Sequence, residues 1–217
     1  MIATTLTNGA SNSFTRAQWN LEKQARDSSP YGYHLLPQGT ITYTLNSSTK
    51  VLNGLPAGKS YNAGTFNDTN YFNVPAALTT KLINASWWSV EFDFNLTTAR
   101  SFSQMYATVN GCQFTLNIND TGLRWNNATN SILGGSVASN TWYHTAWVNN
   151  GGTSRTIWQD GQIVAGPSAT QSTMGATVSL GRANWAANFY FVGLIDNVKI
   201  SIYPNSASIP TKFPSRH

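Results

Sequence analysis

Residues 87–96, WWSVEFDFNL, carry the clearest structural signal in the chain because apolar and polar side chains alternate along them. The apolar positions are Trp88, Val90, Phe92, Phe94 and Leu96. Since successive side chains of a strand point to opposite faces, this period of two predicts a strand with one buried face. Glu91 and Asp93 belong to the other set, which we expect to face open solvent.

Shorter stretches with the same period lie on both sides of this strand. They are TITYTLN (40–46), QMYATV (104–109), QFTLNI (113–118), GLRWNN (122–127), TWYHTAWV (141–148), SRTIWQ (154–159), QIVA (162–165), TVSLGR (177–182) and FVGLIDNVKISIY (191–203). Asn110-Gly111 and Asp160-Gly161 stand between neighbouring stretches and are signals for tight turns. About a dozen short strands without a helical pattern between them predict an all-β fold, an antiparallel sandwich or barrel.

The composition is that of a globular protein and excludes several functional classes. Hydrophobic residues are 41% of the 217, whereas charged residues are only 10%, which argues against helical bundles and coiled coils. The basic residues behind the net charge of +5 are scattered singly, so we expect no nucleic-acid binding, and no apolar run is long enough to span a membrane. Cys112 is alone and excludes an internal disulfide. The start of the chain lacks the features of a secretory signal, which predicts synthesis without export.

Residues 1–37 differ from the strand-rich remainder and are predicted to form an N-terminal arm. The segment TRAQWNLEKQAR at 15–26 has the composition of a short helix. Because an isolated helix of this length is marginal in water, the arm must lie against its own domain, a neighbouring copy or a partner. The residues expected to make these contacts are Phe14, Arg16, Trp19, Leu21, Tyr31 and Tyr33. The predicted organisation is an arm at 1–37, a sandwich at 38–204 and a C-terminal tail at 205–217.

Several motifs follow one another through the strand-rich part of the chain. They are AGTFNDTNYFNVP (63–75), WYHTAWV (142–148) with IWQDGQIV (157–164) after a glycine-rich turn, SLGR (179–182) and FVGLIDNVKI (191–200). Together they resemble the laminin-G-like, concanavalin A-like lectin and glucanase jelly-roll family. The resemblance implies a jelly-roll sandwich of two antiparallel sheets. Members of this family bind glycans or proteins, or hydrolyse polysaccharides, and the fold alone does not choose among these activities.

A polysaccharide hydrolase is the sharpest alternative that the resemblance raises. The segment from Glu91 to Leu96 resembles the signature of laminarinase-type glucanases, in which one strand carries Glu, Asp and a second Glu at positions one, three and six. Asp93 matches the second position, but the third carries Leu96. Because a retaining mechanism needs two carboxyl groups about 5–5.5 Å apart, the missing carboxylate predicts that the protein is not an enzyme.

Glycan binding needs less, namely aromatic rings for sugar faces and amides or carboxylates for hydroxyl groups. The candidate carbohydrate-binding residues are Glu91, Asp93, Trp125, Trp147 and Trp185. Burial in the core is the alternative for each tryptophan, since a jelly roll of this size has room for all eight. The two interpretations are evenly balanced for Trp185, which lies in the loop-like segment GRANWAANF (181–189).

No cofactor and no metal site is predicted. His144 matches the histidine position of the family hairpin, where the resemblance implies a hydrogen-bonded sheet residue, and no Ser or Cys nucleophile can be tied to it. Some laminin-G-like domains bind calcium at a rim, and Asn119-Asp120 could contribute to such a site. A single Asp in a turn is more often part of an Asx-turn, so calcium is not expected here.

Three features together favour a structural role in a virus particle: the missing export signal, the scarcity of charge and the arm before the sandwich. We expect a virion protein made in the host cytoplasm, such as a bacteriophage capsid decoration (cement) protein or a tail-associated protein. Its partners would be capsid or tail proteins and further copies of itself, and it would bind surface glycans weakly. The alternative is a stand-alone carbohydrate-binding lectin domain, in which the arm has no assembly role.

Overall fold

The structure is a computed structural model that describes most of the chain. The described ranges are 14–21, 24–46, 61–67, 69–99, 104–108, 113–116, 121–126, 131–151, 154–169, 175, 177–182 and 189–214. Within them the chain forms fifteen β-strands and a single α-helix, which confirms the predicted all-β fold. No helix in these ranges is long and apolar enough to cross a membrane.

The elements follow one another along the chain as short strands with one helix among them. The strands are β1 (Thr15–Trp19), β2 (Leu36–Gln38), β3 (Thr42–Asn46), β4 (Tyr61–Phe66), β5 (Tyr71–Asn73), β6 (Trp87–Leu96), β7 (Gln104–Thr108), β8 (Gln113–Leu116), β9 (Leu123–Asn126), β10 (Ser131–Gly134), β11 (Trp142–Asn150), β12 (Ser154–Gln159), β13 (Gln162–Ser168), β14 (Val178–Leu180) and β15 (Gly193–Tyr203). The helix α1 (Ala76–Ile83) lies between β5 and β6, and a short 3-10 turn (Ser206–Ser208) follows β15.

The strands form two antiparallel sheets, as a jelly-roll sandwich requires. Sheet A has the order β13-β12-β11-β6-β15-β4-β3, and β1 pairs with the part of β15 that lies beyond β4. Sheet B has the order β10-β9-β8-β7-β14-β5-β2. The antiparallel sandwich predicted from the alternating stretches is therefore confirmed.

Strand β6 coincides with the stretch predicted from its alternation and lies in the middle of sheet A. It pairs with β11 on one edge and with β15 on the other, so that Glu91 has Ala146 and Lys199 as its cross-strand neighbours. The predicted Asp160-Gly161 turn joins β12 to β13, with φ angles of 49° and 80°. Positive φ at both central residues is what a type I′ hairpin turn requires.

The core between the two sheets is rich in aromatic rings. Phe114 of β8 stacks on Trp147 of β11 with ring centroids 4.5 Å apart, and Trp88 of β6 lies 5.5 Å from Trp125 of β9. All four side chains are completely buried. Because burial of one large apolar side chain contributes about 1.5–3 kcal/mol, these rings are a main source of the stability of the sandwich.

The N-terminal segment is a strand and a hydrogen-bonded loop, so the predicted helix at 15–26 is wrong. Strand β1 pairs with β15, and its alternate residues Ala17 and Trp19, followed by Leu21, are buried in the core. This alternation has the period of a strand, and pairing with β15 outweighs the weak helical propensity of the segment. Strand β2 then joins sheet B across the boundary predicted at residue 37. Of the three locations proposed for the arm, its described residues take the first, against their own domain.

Helix α1 was not predicted. Its buried residues Leu78 and Leu82 are four positions apart and therefore lie on one face of the helix, which packs onto the core. Pro75 occupies the N-cap position, and its carbonyl accepts the first hydrogen bonds of the helix, from the backbone N–H groups of Leu78 and Thr79.

The C-terminal segment (residues 205–214) covers part of the outward face of sheet A. Phe213 packs against Ala146 and Val148 of β11, and Ile209 contacts the same cluster. The ring of Phe213 lies 5.4 Å from that of Trp158 on β12. The predicted tail therefore contributes a second, smaller apolar cluster on the side of sheet A away from the main core.

Candidate functional site

The outward faces of the two sheets differ in their exposure. On sheet A the outward residues of β6 from Ser89 onward, among them Glu91 and Asp93, are buried, so β6 is covered on both sides along most of its length. On sheet B the outward residues Tyr71 of β5 and Asn126 of β9 are partly exposed, although Thr115 and Ser179 on the same face are buried. The open surface of the sandwich is therefore on sheet B, opposite to the face on which the sequence predicted a site.

Asp93 is the centre of a buried polar junction formed by Asp93, His144, Asp196 and Asn197. Its carboxylate lies 2.8 Å from His144 Nδ1 and accepts a hydrogen bond of 2.8 Å from the Asn197 side-chain amide. The same amide nitrogen donates to Asp196 at 3.1 Å, and Asp196 also accepts from the backbone N–H of Leu21 at 3.2 Å. The junction thus joins β6, β11 and β15 to the N-terminal segment.

Glu91 lies in a second polar cluster next to the junction. Its carboxylate forms an ion pair with Lys199 on β15 at 2.9 Å. Ser89 hydrogen bonds to the Tyr203 hydroxyl at 2.9 Å. Burial raises the pKa of the Tyr203 hydroxyl; the hydrogen bond with Ser89 offsets part of this rise, and the negative charge of Glu91 adds to it.

The expectation that Glu91 and Asp93 face open solvent is wrong. Glu91 is 3% exposed and Asp93 is 1% exposed, which leaves no room for a sugar beside either carboxylate. Leu96, at the third position of the glucanase-like signature, is buried in the main core. The fold brings a further carboxylate, Asp196, opposite Asp93, but both are committed to the same Asn197 amide. These carboxylates are therefore structural in this conformation.

Two of the three tryptophans predicted to contact a glycan are in the core, and the third lies outside the described residues. Trp125 and Trp147 are completely buried between the sheets, so neither presents a ring to a ligand, and core burial, the alternative interpretation, describes both. Their positions alternate with the outward residues of β9 and β11, which explains the inward direction. Trp185 lies outside the described residues, as does the Asn119-Asp120 pair considered for calcium.

The six residues assigned to the arm separate into two groups. Trp19 and Leu21 are core residues, and the ring of Phe14 lies 5.6 Å from that of Tyr203. The other three, Arg16, Tyr31 and Tyr33, contact one another near the surface. Tyr33 also packs against the main core, whereas Arg16 is partly exposed and Tyr31 is exposed.

Amide and hydroxyl side chains form a row across the open face of sheet B. In register, Gln113 of β8 is opposite Asn126 of β9, which is opposite Ser131 of β10. Ser131 Oγ donates to Asn126 Oδ1 at 2.7 Å, and Asn126 Nδ2 donates to Gln113 Oε1 at 3.3 Å. Arg124 Nη2 donates to Ser131 Oγ at 3.1 Å. These groups retain further hydrogen-bonding capacity toward a ligand.

An aromatic cluster lies at the other end of the same sheet. The guanidinium of Arg182, which follows β14, is 4.8 Å from the ring centre of Tyr71 and 5.0 Å from that of Tyr190. Tyr71 is an outward residue of β5, since Phe72 beside it is buried. The cation–π contacts hold the three side chains together at the surface. Trp185 follows Arg182 by three residues in the sequence.

Sequence reasoning did not find this face, although a signal was present. Gln113, Tyr71 and Asn126 each stand next to a large aromatic residue in a short strand, so the alternation places them outward once the aromatic residues are known to be buried. In the described part of the chain, no group of three His, Cys, Asp or Glu side chains could hold a metal ion.

Comparison with known proteins agrees with this architecture. A family model described as the concanavalin A-like lectin/glucanases superfamily matches residues 66–208. Domain 4 of AbnA, a GH43 extracellular arabinanase from Geobacillus stearothermophilus, was solved in complex with arabinotriose and is similar with a TM-score of 0.63 and 15% identity, covering 90% of this chain and 97% of that chain. No curated protein sequence matches the chain.

Two toxin domains are also similar. The binding domain of Paraclostridial Mosquitocidal Protein 1 has a TM-score of 0.63 and 10% identity, covering 91% of this chain and 51% of that one. The binding domain of botulinum neurotoxin serotype D has a TM-score of 0.56 and 13% identity, covering 88% and 49%. This chain thus spans about half the length of these toxin domains. At such identities the likeness is one of fold.

Proposed function

Since the chain belongs to the concanavalin A-like lectin/glucanase superfamily, we propose that it is a carbohydrate-binding domain that binds its ligand on the open face of sheet B. The observation that carries the proposal is the difference between the two outward faces. The middle of sheet A is covered by the C-terminal segment and its own polar clusters, whereas Tyr71, Gln113, Asn126 and Ser131 on the outward face of sheet B are partly exposed.

The side chains on this face suit a sugar chemically. The amides of Gln113 and Asn126 and the hydroxyl of Ser131 can exchange their mutual hydrogen bonds for bonds to sugar hydroxyls, as both donors and acceptors. The ring of Tyr71 provides an apolar surface for the C–H face of a sugar, and Arg182 holds that ring in place. Gln113 on β8 and Tyr71 on β5 are three strands apart, about 14 Å at the usual strand spacing, so a ligand that contacts both is an oligosaccharide of several units.

The similar structures support this class of ligand. Domain 4 of AbnA was solved with arabinotriose, and the two toxin relatives are binding domains by description. Because they share only the fold with this chain, the identity of the sugar does not carry over, and arabinotriose is a first probe rather than the expected ligand.

Titration calorimetry with arabinotriose and a panel of soluble oligosaccharides tests the proposal. We expect at least one of them to bind, and Tyr71→Ala to weaken that binding about two- to tenfold, the worth of one aromatic contact. Asn126→Ala should weaken it as well, whereas Tyr71→Phe keeps the ring and should retain most of the affinity. Thr80→Ala on the exposed side of α1 is the matched control. The proposal fails if no sugar binds, or if binding is unchanged in both Tyr71→Ala and Asn126→Ala.

Incorporation into a virus particle stays a prediction beside this proposal. One of its three premises was a non-globular arm before the sandwich, and β1 and β2 give residues 15–19 and 36–38 positions in the two sheets. Contact with a particle would use surface side chains of the N-terminal segment, such as Arg16 and Tyr31, or residues 1–13, which lie outside the described ranges. Removal of residues 1–13 combined with Arg16→Gln and Tyr31→Ala should abolish incorporation into particles while leaving the fold intact if that prediction is correct.

A further inference from the structure

A surface loop at residues 27–34, here called the Asp27 loop, is held by an unusually large number of hydrogen bonds for its length. The buried Asp27 carboxylate accepts from the backbone N–H groups of Gln18, Ser29 and Tyr33 at 2.9, 2.8 and 2.7 Å, and from the Ser29 hydroxyl at 2.7 Å. Trp19 Nε1, itself in the core, donates to the carbonyl of Tyr33 at 2.7 Å. One buried carboxylate thus fixes the loop to β1, and the loop is built in advance of any ligand.

The Asp27 loop presents two tyrosine rings side by side. The rings of Tyr31 and Tyr33 are nearly parallel, with 14° between their planes and 6.1 Å between their centroids. Tyr31 is 42% exposed, which is high for a side chain held by ring contacts. Because the backbone of Tyr33 is bonded to both Asp27 and Trp19, the rings have a fixed position relative to the sandwich.

Arg16 stands at the edge of these rings. The register between β1 and β15 shifts between Thr15 and Ala17, and a shift of this kind redirects the side chain of the residue at which it occurs. Arg16 Nη1 donates to the Tyr31 hydroxyl, and the guanidinium carbon is 5.2 Å from the ring centre. Among the described residues no carboxylate lies within ion-pair distance of Arg16. The guanidinium therefore keeps donors for an anion.

We propose that Arg16, Tyr31 and Tyr33 form a second carbohydrate site, separate from the open face of sheet B and selective for an acidic sugar. The Tyr31 ring contacts the C–H face of the sugar, and Arg16 pairs with its carboxylate or sulfate group, as guanidinium groups do through charge-assisted hydrogen bonds. The inference takes the carbohydrate-binding function as its premise but uses none of the residues of the sheet B face.

The dimensions of the cluster favour a sugar over a protein partner. A specific protein interface buries about 800 Å² on each side and involves about 20–30 residues. Two rings on a short loop and one guanidinium on the adjacent strand β1 match one sugar unit instead. A neutral sugar would use the rings but would leave the charge of Arg16 without a counter-charge, which is why an acidic unit is the better fit.

The test compares oligosaccharides with and without a free carboxylate: trigalacturonate with its methyl ester, and sialyllactose with the methyl ester of its sialic acid, each titrated into the full chain. We expect an acidic member to bind about tenfold more tightly than its neutral counterpart, and this advantage to shrink as salt is raised. Arg16→Gln should abolish the advantage, and Tyr31→Ala should weaken binding of the acidic sugar. Arg26→Gln, which removes the same charge from an exposed neighbour, should leave both unchanged.

The variants at Tyr71 separate this inference from the proposed function. Binding of acidic sugars that survives Tyr71→Ala and is lost in Arg16→Gln supports the second site. Equal binding of acidic and neutral members overturns it while the sheet B proposal stands, and loss of all binding in Tyr71→Ala assigns both sugars to sheet B. If no acidic sugar binds but polyglutamate binds in an Arg16-dependent way, the ligand is a protein and the inference is wrong. Circular dichroism of each variant checks that it is folded.

Discussion

At the scale of single residues, the acidic side chains in the described ranges serve mainly to hold strands and loops together. Asp93 and Asp196 share the amide of Asn197, and Asp27 collects four hydrogen bonds from its own loop and β1. Glu91 is paired with Lys199. A buried carboxylate is tolerated only when such partners are present, because an unpaired buried charge is very costly. The surface in the described ranges is left with mostly neutral and basic groups.

The raised pKa of Tyr203 predicts how the stability of the protein depends on pH in alkaline solution. Burial is the main cause that raises its pKa above the ordinary value of 10.0, and Glu91 adds to the rise. The pKa of Tyr203 is higher in the folded than in the unfolded protein. Neutral Tyr203 therefore contributes fully to the free energy of unfolding below about pH 10, and this contribution is lost as the pH rises through the folded pKa. We therefore expect the free energy of unfolding, measured by urea titration, to fall above about pH 10.

Two variants check the source of this pH dependence. Tyr203→Phe should flatten the decline, though not remove it, because burial also raises the pKa of Tyr43. Glu91→Gln should make the alkaline decline in the free energy of unfolding smaller, because it removes one cause that raises the pKa of Tyr203. Alkaline curves of Tyr203→Phe that run parallel to those of the parent protein would contradict this assignment.

The residue-scale signals in the sequence separated the two faces of β6 correctly but could not tell which was covered. Trp88, Val90 and Phe92 are inward, as their alternation predicts. Glu91 and Asp93 are on the other face, and they are buried because β11, β15 and distant parts of the chain supply partners for them. No period within residues 87–96 carries information about those partners.

At the scale of elements, β1 is the part of the structure that most changes the interpretation of the chain. It adds Ala17 and Trp19 to the core, and it pairs with one edge of β15. Replacing a buried tryptophan by alanine costs about 3–5 kcal/mol, a large share of the 5–15 kcal/mol that stabilises a typical domain. The described part of the N-terminal segment therefore contributes both to sheet A and to the core.

Truncation of the chain tests this role. Removal of residues 1–37 deletes β1 and part of β2, so we expect a protein that is unfolded, aggregated or strongly destabilised in a urea titration. Removal of residues 1–10 leaves every described contact in place and is the matched control. A protein lacking residues 1–37 whose unfolding midpoint equals that of the full chain would restore the prediction of an independent sandwich at 38–204.

Both errors in the element prediction have local explanations. In TRAQW (15–19) the three buried side chains, Thr15, Ala17 and Trp19, alternate, but only Trp19 is large and apolar, so the strand period is weak beside the helix-forming residues that follow. In α1 the signals were present, with proline before the helix and leucines four residues apart, but eight residues are too few for the pattern to stand out among strands.

At the scale of the whole molecule, a segment near each end of the sequence packs onto the sandwich. Strand β1 precedes the residues matched by the family model and the C-terminal segment extends past them, and both pack onto sheet A. We expect one cooperative unfolding transition, in which tryptophan fluorescence and far-ultraviolet circular dichroism coincide. Subtracting the fluorescence of the Trp19→Phe variant from that of the parent protein gives the fluorescence signal of Trp19 alone. A signal from Trp19 that changes at lower urea than the rest would show that the N-terminal segment unfolds separately.

The sandwich as a whole could be predicted from the sequence because many short strands share one period, and the Asp160-Gly161 turn fixes one hairpin within them. The location of the open face proposed for binding could not be predicted in the same way. It depends on Phe213 and Ile209 reaching back over sheet A, a contact between residues far apart in the chain. Local patterns determine which side chains share a face, whereas long-range packing decides which face stays open.

The double-sided burial of β6 also provides a measurement. Backbone amides in a strand with neighbours on both edges and cover on both faces are expected to exchange with deuterium only when the entire domain opens. Their exchange rate then reports how often the whole domain opens. A compound that binds only the native state lowers this rate by an amount set by its concentration and Kd. Mass spectrometry of a peptide from this strand can therefore rank sugars by affinity, whichever of the two surfaces they occupy.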